Sequence, residues 1–433
     1  MKVFFVGDNR GAANWGRAAS MALDELLTKS FQISGRVTGD LFNLATAEAG
    51  YVGTLMPPRY YRHVRAMLPQ RDRRPYAWYF KLEHLFGARD FIDEDPGKSV
   101  DALLAHMHRH PALARICSDA GGADLVVLDG DGDIIFSTPP RRQTLFLLAM
   151  IELGLRLGKP VFLVNSMISD CPLTGRNTAT LAATRRLLAQ CRAVTLRDQE
   201  SLQYVQREMP EANASFVPDS LFTWFPIYQC SPPPLASDFY PPSTGGGDAE
   251  VRFDFSQPYI CLGGGALVAS EPGKSAPRYA RLVEALGTLG CRVCLTQNDI
   301  SDGFLQAIAR EKQAGFVPAN APITACGATL ANARLFISGR YHPSILASLG
   351  GTPCIFLESH AHKMSSLARL LAYEENKEFS AFPDDVEIAA IVSAARQYLD
   401  RGDALRAQIR QVARQLAEEA SRLPAMLLRH LNG

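Results

Sequence analysis

Arg340 and His342 stand two residues apart, where the short apolar run Leu335–Ser338 gives way to a helix predicted over Ser344–Leu349. Pro343 suits the first residue of that helix, because no backbone N–H is needed there. A guanidinium and an imidazole at the end of a strand and the beginning of a helix could bind a phosphate or carboxylate and transfer a proton. The alternative interpretation is a capped turn with a solvent-exposed arginine and a packed histidine.

The elements that must position these residues alternate between apolar strands and amphipathic helices. The predicted strands are Val3–Val6, Leu125–Leu128, Val161–Val164, Ala193–Leu196, Ser215–Val217, Tyr259–Leu262, Arg292–Leu295, Leu335–Ser338 and Cys354–Leu357. Helices are predicted between them, among them Arg17–Thr28, Thr144–Leu157 and Thr178–Leu188, and a further one begins at Gln199. This alternation is typical of α/β proteins with parallel sheets.

The length of 433 residues exceeds what one ordinary core accommodates, so two domains are expected. A segment rich in Pro, Ser and Gly interrupts the pattern at 230–257, and we interpret it as a linker. The predicted domains are an N-terminal α/β lobe at 1–229, a C-terminal α/β lobe at 258–400, and a helix within 401–433 that packs back on the first lobe. The predicted fold class is two Rossmann-like, doubly wound lobes facing a cleft, which is a GT-B-like architecture.

The composition excludes several classes of partner and location. Lys and Arg number 45 against 44 Asp and Glu, which leaves no excess charge that would favour nucleic acid. No apolar stretch approaches the roughly 20 residues of a membrane span. Only four apolar residues follow Lys2, so no signal peptide is predicted. The nine cysteines are scattered through apolar segments, and a reducing cytoplasm fits them best.

Other groups that could do chemistry have plainer explanations. We interpret His106, His108 and His110 as surface residues at a helix end, because no ligand is spaced to complete a metal site. Cys291 and Cys294 form a CxxC, and we expect both thiols on one face of a buried strand. The run Asp129–Asp133 lacks the later glutamate of a calcium loop, so a turn with solvated aspartates is favoured.

Three further segments keep two interpretations each. Gly263–Gly265 follows an apolar strand and could approach a phosphate, or could allow tight packing of the next helix. His360 and His362 could line a cleft, and they rank second to His342. The segment Arg59–Arg89 is rich in arginine and aromatic residues; it could contact an acceptor or a membrane surface, or it could be an insertion whose aromatic rings pack on the lobe.

Several short segments follow one another in an order that resembles the polysaccharide pyruvyl transferase family. They are Asn14-Trp15-Gly16, Gly158-Lys159-Pro160-Val161, Leu196-Arg197-Asp198-Gln199-Glu200-Ser201, Val217-Pro218-Asp219, Ser338-Gly339-Arg340-Tyr341-His342, Gly351-Thr352-Pro353 and Lys363. This family transfers the pyruvyl skeleton of phosphoenolpyruvate to sugar hydroxyls and forms a pyruvate ketal. The resemblance is strongest around Arg340 and His342, and it covers most of the chain.

The resemblance implies phosphoenolpyruvate as the donor, a saccharide as the acceptor, no further cofactor and no metal. A substrate with a phosphate and a carboxylate needs cations, and we predict Arg197, Arg340 and Lys363 in that role. His342 is the predicted catalytic group, because imidazole exchanges protons near neutral pH, and Arg340 would stabilise the departing phosphate. The C-terminal lobe would then be the donor side and the N-terminal lobe the acceptor side.

Asn14 and Arg17, in the first loop, are the predicted acceptor contacts. Arg17 departs from the family pattern, which usually has Asp there. Whether the saccharide is lipid-linked stays open, and a peripheral contact with the inner face of the cell membrane is compatible with a cytoplasmic protein. Two other functions remain: a GT-B glycosyltransferase that uses a nucleotide sugar, and a scaffold in polysaccharide assembly that has lost its activity.

Overall fold

The computed structural model describes residues 1–12, 14–38, 91–109, 111–229, 253–268, 271–374 and 377–432. In this part of the chain two compact units form. Unit 1 is drawn from Met1–Gly11, Leu27–Val217 and Pro424–Gly433, and unit 2 from Ala12–Leu26 and Pro218–Leu423. The segment Arg59–Arg89 lies outside the described residues, and so does most of the predicted linker.

The main sheet of unit 1 is parallel throughout. Its described strands are β1 (Lys2–Asp8), β2 (Gln32–Thr38), β3 (Leu125–Asp129), β5 (Val161–Ser166), β7 (Ala193–Leu196) and β8 (Ala214–Phe216). They lie in the order β2-β1-β3-β5-β7-β8. The short strands β4 (Ile134–Phe136) and β6 (Ile168–Asp170) pair separately. The central strands are buried on both faces, which explains why their sequences do not alternate with polar residues.

Unit 2 contains a second parallel sheet. Its described strands are β9 (Tyr259–Gly265), β10 (Arg292–Thr296), β11 (Gly315–Val317), β12 (Leu335–Gly339), β13 (Cys354–Leu357) and β14 (Glu378–Phe379). They lie in the order β11-β10-β9-β12-β13-β14. Numbered from β9, this is the order 3-2-1-4-5-6 of doubly wound sheets.

The helices of the described residues follow the strands in chain order. They are α1 (Arg17–Thr28), α2 (Pro96–His106), α3 (Pro111–Gly122), α4 (Arg142–Arg156), α5 (Thr178–Leu188), α6 (Gln199–Glu208), α7 (Pro272–Gly287), α8 (Phe304–Glu311), α9 (Ile323–Asn332), α10 (Tyr341–Leu349), α11 (Lys363–Leu370), α12 (Asp385–Ala420) and α13 (Leu423–Asn432). Short 3₁₀ segments span Met107–Arg109, Ser220–Tyr228 and Ile300–Asp302. None of the helices in these described ranges is long and apolar enough to cross a membrane.

The predicted α/β fold class is confirmed, and several predicted elements have the observed bounds. α5 begins and β7 ends where the sequence predicts. Local capping explains the helix starts, since Asn177 accepts the Thr180 N–H at 2.9 Å at the start of α5. Asp198 likewise accepts the Ser201 N–H at 2.7 Å at the start of α6.

The boundary between the units differs from the predicted one. Ala12–Leu26 and the segment that begins at Pro218 belong to unit 2, although the sequence interpretation assigned both to the first lobe. The reason is packing: Trp15 of the first segment and Phe222 of the second are buried in one apolar cluster with Phe336 of β12. The end of the predicted linker also folds, since Phe253 is buried in the same cluster.

The C-terminal region forms two helices instead of the single one predicted. α12 begins at Asp385, well before the predicted region 401–433, and its backbone leaves the helical conformation at Gly402, where φ is +49°. α13 follows, and from Pro424 onward the chain belongs to unit 1. There Met426 contacts Ser215 of β8, with 3.8 Å between Sδ and Oγ.

The interpretation of the CxxC was wrong in one respect. Cys291 packs against the cluster that contains Val293 and Leu295, whereas Cys294 lies in the cluster on the other side of the sheet. Residues three apart in a strand point to opposite faces, because side chains alternate with a period of two. Cys294 is a buried thiol of the core, as expected.

Candidate active site

Arg340 lies where the strand order of unit 2 reverses. β9 pairs with β10 on one side and with β12 on the other, so the carboxyl ends of β9 and β12 meet at this point. Arg340 directly follows β12, as the sequence predicts. In open α/β sheets ligands bind outside the carboxyl ends of the strands at such a switch point. The position therefore makes this edge the candidate active site of unit 2.

The helix after β12 begins earlier than predicted. α10 starts at Tyr341 with Arg340 as its N-cap, so Pro343 is the third residue of the helix and not the first. The proline is tolerated because the N–H groups of the first turn have no partner within the helix. His342 consequently lies in the first helical turn, where the regular backbone fixes its Cα.

The guanidinium of Arg340 is held by a buried carboxylate. Its Nε donates to Asp302 Oδ2 at 3.2 Å, and its Nη2 donates to Asp302 Oδ1 at 2.7 Å. Nη2 also donates to the Ser301 hydroxyl at 3.2 Å. Nε and Nη2 are thus both engaged, and a contact of Arg340 with an anion would have to use Nη1. The side chain keeps 18% of its surface exposed, whereas Asp302 is fully buried.

Burial dominates the ionisation of Asp302. Removal from water raises the pKa of its carboxyl to about 6, and the nearby charge of Arg340 opposes this rise without cancelling it. Arg340 still holds the carboxylate by two hydrogen bonds, so the carboxyl fixes the plane of the guanidinium.

The raised pKa of Asp302 predicts a pH dependence of stability. Between about pH 4 and pH 6 the folded protein retains this proton while the unfolded chain loses it, so the unfolding free energy falls as pH rises. Relative to D302N, the wild type should lose up to about 3 kcal/mol across this window, at 1.36 kcal/mol per pH unit. Urea unfolding of both proteins at pH 4, 5, 6 and 7 measures this difference. A difference that stays constant with pH would contradict the assignment.

Two of the three glycines at the end of β9 are required by packing. A Cβ on Gly264 would collide with the carboxylate of Asp302, and a Cβ on Gly263 would collide with Asn298 Oδ1. Both side chains belong to the segment after β10, which closes over β9. The packing that explains Gly263 and Gly264 comes from the segment after β10 and not from the next helix, and the approach of these glycines to a phosphate stays a prediction.

His342 lies against a second buried carboxylate. Its Nε2 is 3.4 Å from Asp219 Oδ2, which is fully buried, and only 10% of the His342 side chain is exposed. Its Nδ1 side points towards the turn that contains Gly16, because a Cβ on Gly16 would lie 3.1 Å from Nδ1. The imidazole therefore packs between Asp219 and this turn.

Asn14 and Arg17 belong to unit 2 and lie at the same edge of its sheet. Asn14 forms an isolated antiparallel bridge with Asp299, and the Trp15 N–H donates to the Asn298 carbonyl at 2.8 Å. Arg17 donates to backbone carbonyls of the chain around it, at 3.3 Å to Ala12, 3.2 Å to Ala319 and 2.6 Å to Ala321. The guanidinium of Arg17 thus connects the loop at Ala12 to the segment of unit 2 that contains Ala319 and Ala321. A contact of Arg17 with an acceptor stays a prediction.

Lys363 is the first residue of α11, which follows β13 at the same edge. His360 and His362 lie in the preceding turn, and all three residues are partly buried. The structure thus brings five of the six predicted site residues to one edge of unit 2. They are Asn14, Arg17, Arg340, His342 and Lys363.

Arg197, the sixth predicted residue, lies in unit 1 directly after β7. Only 1% of its side chain is exposed, and its Nη1 donates to Asp131 Oδ1 at 2.6 Å. Beside it, Asn165 donates to Asp129 Oδ1 at 3.3 Å. Asp131 and Asn165 both have a positive φ, at 40° and 55°. Asparagine and aspartate tolerate this left-handed conformation better than other residues, so both positions suit turns at the carboxyl edge of unit 1.

The acidic run Asp129–Asp133 is a turn at this edge. Asp129 is buried at the end of β3, and the carbonyl of Asp133 accepts the Thr144 hydroxyl at 2.6 Å. Among the described residues, no three carboxylate, imidazole or thiol side chains lie close enough together to hold a metal ion.

Sequence reasoning did not assign a role to the two buried carboxylates. Asp302 lies in the segment Gln297–Asp302 after β10, in which five of the six residues are polar, and polar residues after a strand end are a signal that could have identified it. Asp219 was noted as part of a motif, but its partner His342 is far away in the sequence. No local pattern pairs residues at such a separation.

Comparison of the sequence with known proteins identifies a family. The sequence matches a family profile described as polysaccharide pyruvyl transferase over residues 56–292, which is more than half of the chain. The match ends before Arg340, so the roles of Arg340, His342 and Lys363 stay predictions. A search of curated proteins found no similar sequence.

Solved structures with a similar fold span the whole chain. The S. aureus MnaA protein with UDP matches with a TM-score of 0.54 and 9% identity, covering 100% of this chain and 97% of that one. A putative UDP-N-acetylglucosamine 2-epimerase from Listeria monocytogenes matches at 0.53 and 11%, covering 100% and 97%. A Medicago truncatula protein complexed with UDP-glucose matches at 0.52 and 12%, covering 100% and 98%. At these identities the likeness shows the fold alone, which is the GT-B-like class.

Proposed function

Because the chain belongs to the polysaccharide pyruvyl transferase family, we propose that it transfers the pyruvyl group of phosphoenolpyruvate to a sugar of a surface polysaccharide or its precursor. The product is a pyruvate ketal, in which one carbon bridges two sugar oxygens. The family match over residues 56–292 is the observation that carries this proposal.

The charges at the carboxyl edge of the sheet in unit 2 support a small donor with two anionic groups. Phosphoenolpyruvate has a phosphate and a carboxylate, and Arg340 and Lys363 lie at the edge of unit 2 where helices begin. Backbone N–H groups at a helix N-terminus add further donors for an anion. Arg197, held by Asp131, is the proposed third cation.

Proton transfer is assigned to His342. A proton is added to the methylene carbon of phosphoenolpyruvate, which makes the neighbouring carbon electrophilic. One sugar hydroxyl adds to that carbon, and a second hydroxyl of the same sugar replaces the phosphate and closes the ketal. An imidazole that gives and then accepts a proton suits both steps. Arg340 would stabilise the charge of the departing phosphate.

The alternative is transfer of a sugar from a nucleotide sugar by the same fold. Two of the similar structures contain UDP or UDP-glucose, and in this alternative the basic residues of unit 2 would contact a diphosphate. The two functions differ in the ligand that the native state binds.

Ligand-dependent melting separates these functions. Phosphoenolpyruvate at 100 times its Kd should stabilise the protein by about 2.7 kcal/mol and raise the melting temperature, whereas UDP should leave it unchanged. Inorganic phosphate at the same concentration is the control for simple anion binding. An increase with UDP and none with phosphoenolpyruvate would support the nucleotide sugar instead.

Turnover is tested by phosphate release. The protein is incubated with phosphoenolpyruvate and a panel of p-nitrophenyl glycosides of common hexoses and N-acetylhexosamines. We expect release of phosphate only when a suitable glycoside is present, together with a product heavier by one ketal-bound pyruvyl group. Release that does not depend on the glycoside would indicate hydrolysis and contradict transfer.

A further inference from the structure

We propose that Asp302 is a positioning residue, which holds two nitrogens of Arg340 so that Nη1 is the atom that contacts the phosphate of the donor. This inference rests on the proposed function, because it specifies how the same arginine meets phosphoenolpyruvate. It assigns a role to a buried carboxylate that lies outside every motif of the family resemblance, and it limits Arg340 to one donor atom.

Two of the three nitrogens of the Arg340 guanidinium are engaged by its neighbours. Nε donates to Asp302 Oδ2 at 3.2 Å, and Nη2 donates to Asp302 Oδ1 at 2.7 Å and to the Ser301 hydroxyl at 3.2 Å. Nη1 donates to no group in the described part of the chain. Since Asp302 is fully buried, the edge of the guanidinium that faces it is closed to a ligand, and Nη1 is left for an anion.

Asp302 is itself fixed by the short segment that contains it. The 3₁₀ segment Ile300–Asp302 begins with a cap, in which Asp299 Oδ1 accepts the Ser301 N–H at 2.8 Å. The Asp302 N–H donates to the Asp299 carbonyl at 2.9 Å. On the neighbouring strand β9, a Cβ at Gly264 would collide with Asp302 Oδ1. The carboxylate therefore occupies space that only a glycine leaves beside it.

The backbone of Arg340 is fixed as well. Its N–H donates to the Ser338 hydroxyl at 3.1 Å, and its carbonyl accepts the Ser344 hydroxyl at 2.9 Å. The Ser338 hydroxyl in turn donates to the Gly264 carbonyl at 2.9 Å. Both ends of the Arg340 side chain are thus held, so the fold sets the direction of Nη1 before a ligand binds. Such preorganised donors are the ones that stabilise the charge of a departing group most effectively.

A carboxylate beside an arginine that binds phosphate also has an electrostatic cost. Burial raises the pKa of Asp302 to about 6, so at pH 8 the carboxylate is ionised and repels an anion bound by Arg340. If Asp302 acted only through its charge, its removal would strengthen binding and accelerate the reaction. A positioning role predicts a slower reaction, because a guanidinium that turns freely meets the departing phosphate in the wrong orientation.

D302N is the central variant, because asparagine keeps the shape of the side chain and lacks its charge. At pH 8 we expect the kcat for pyruvyl transfer to fall between about 10-fold and 10²-fold, the loss expected from a misplaced group. The KM for phosphoenolpyruvate should stay the same or fall, since the charge of Arg340 is no longer compensated. An unchanged or increased kcat would overturn the proposal.

D299N is the matched control for charge. Asp299 Oδ1 lies 4.0 Å from Arg340 Nη2, which is beyond hydrogen-bonding distance. Asparagine removes this charge and keeps the oxygen that caps the 3₁₀ segment, so kcat should stay close to the wild-type value. A loss in D299N equal to that in D302N would show that charge and not orientation governs the rate, and would also overturn the proposal.

An NMR measurement without substrate separates this inference from the proposed function. The Arg340 side-chain ¹⁵N signals, assigned by their loss in R340K, should include two separate Nη signals in the wild type, because Asp302 hinders rotation of the guanidinium. In D302N these signals should merge. A wild type whose melting temperature does not respond to phosphoenolpyruvate would overturn the proposed function and leave the orientation of Arg340 standing. One averaged Nη signal in the wild type, or two separate signals in D302N, would overturn the role of Asp302.

Discussion

Substitution of His342 by glutamine should reduce the proposed phosphoenolpyruvate-dependent pyruvyl transfer by about 10²–10⁴-fold, the range of a positioned general acid–base group. The reason is that no other group in the proposed step adds a proton to the methylene carbon. Glutamine keeps much of the volume of the ring and can still approach Asp219, so the fold should persist. Initial rates of phosphate release at saturating phosphoenolpyruvate measure the effect.

The matched control is H108Q, because His108 is exposed in the 3₁₀ segment Met107–Arg109 of unit 1. This variant should retain wild-type turnover. The melting temperature of H342Q should stay close to that of the wild type, and phosphoenolpyruvate should still raise it, since the cations are unchanged. Near-normal turnover in H342Q would reject the histidine as the proton donor and leave donor binding by the arginines untouched.

The second large effect concerns stability. Substitution of Arg406 by methionine should lower the unfolding free energy by about 3 kcal/mol. Three carbonyls lose a charged donor that contributes roughly 1.5–3 kcal/mol each, and the low end applies because each carbonyl keeps a second donor, the Thr352 hydroxyl or Arg410. Arg406 donates to the carbonyls of Ala331, Ala333 and Gly350, at 2.9 Å, 2.6 Å and 3.1 Å. These carbonyls follow the last turns of α9 and α10, so one guanidinium from α12 caps two helices.

The stabilisation by Arg406 overcomes an unfavourable environment. Burial lowers the pKa of its guanidinium, and the nearby charge of Arg410 lowers it further. Urea unfolding of R406M measures the loss. R414M is the control on the same helix, because Arg414 is 70% exposed in an ion pair with Glu418 and should change stability by less than about 0.5 kcal/mol. Equal stability of R406M and the wild type would show that water replaces the guanidinium at these carbonyls.

Much of the fold could be predicted because the signals are local. Val161–Val164 and Cys354–Leu357 are apolar runs that can be buried only as central strands of a parallel sheet. Asn177 and Asp198 mark helix starts through hydrogen bonds to residues three positions away. Such patterns depend only on the neighbouring sequence, so they can be recognised without knowledge of the tertiary structure.

Other predictions were wrong because contacts between residues distant in the sequence determine the structure there. The sequence interpretation assigned Ala12–Leu26 to the first lobe, because the segment follows β1 in the chain. Trp15 is instead buried with residues more than 200 positions away. The start of α10 at Tyr341 was also not predicted, since a proline usually marks the first residue of a helix. Here it occupies the third, where the missing N–H is equally harmless.

The sequence by itself determined the two parallel α/β sheets and placed Arg340 and His342 at a strand end, because periodicity and caps act over a few residues. Only the tertiary structure decided what holds these side chains. Asp302 follows β10 and Asp219 follows β8, and each reaches its partner across a large separation in the chain. Both carboxylates are fully buried, and burial of a particular carboxylate is a property of the packed unit and not of the residues beside it.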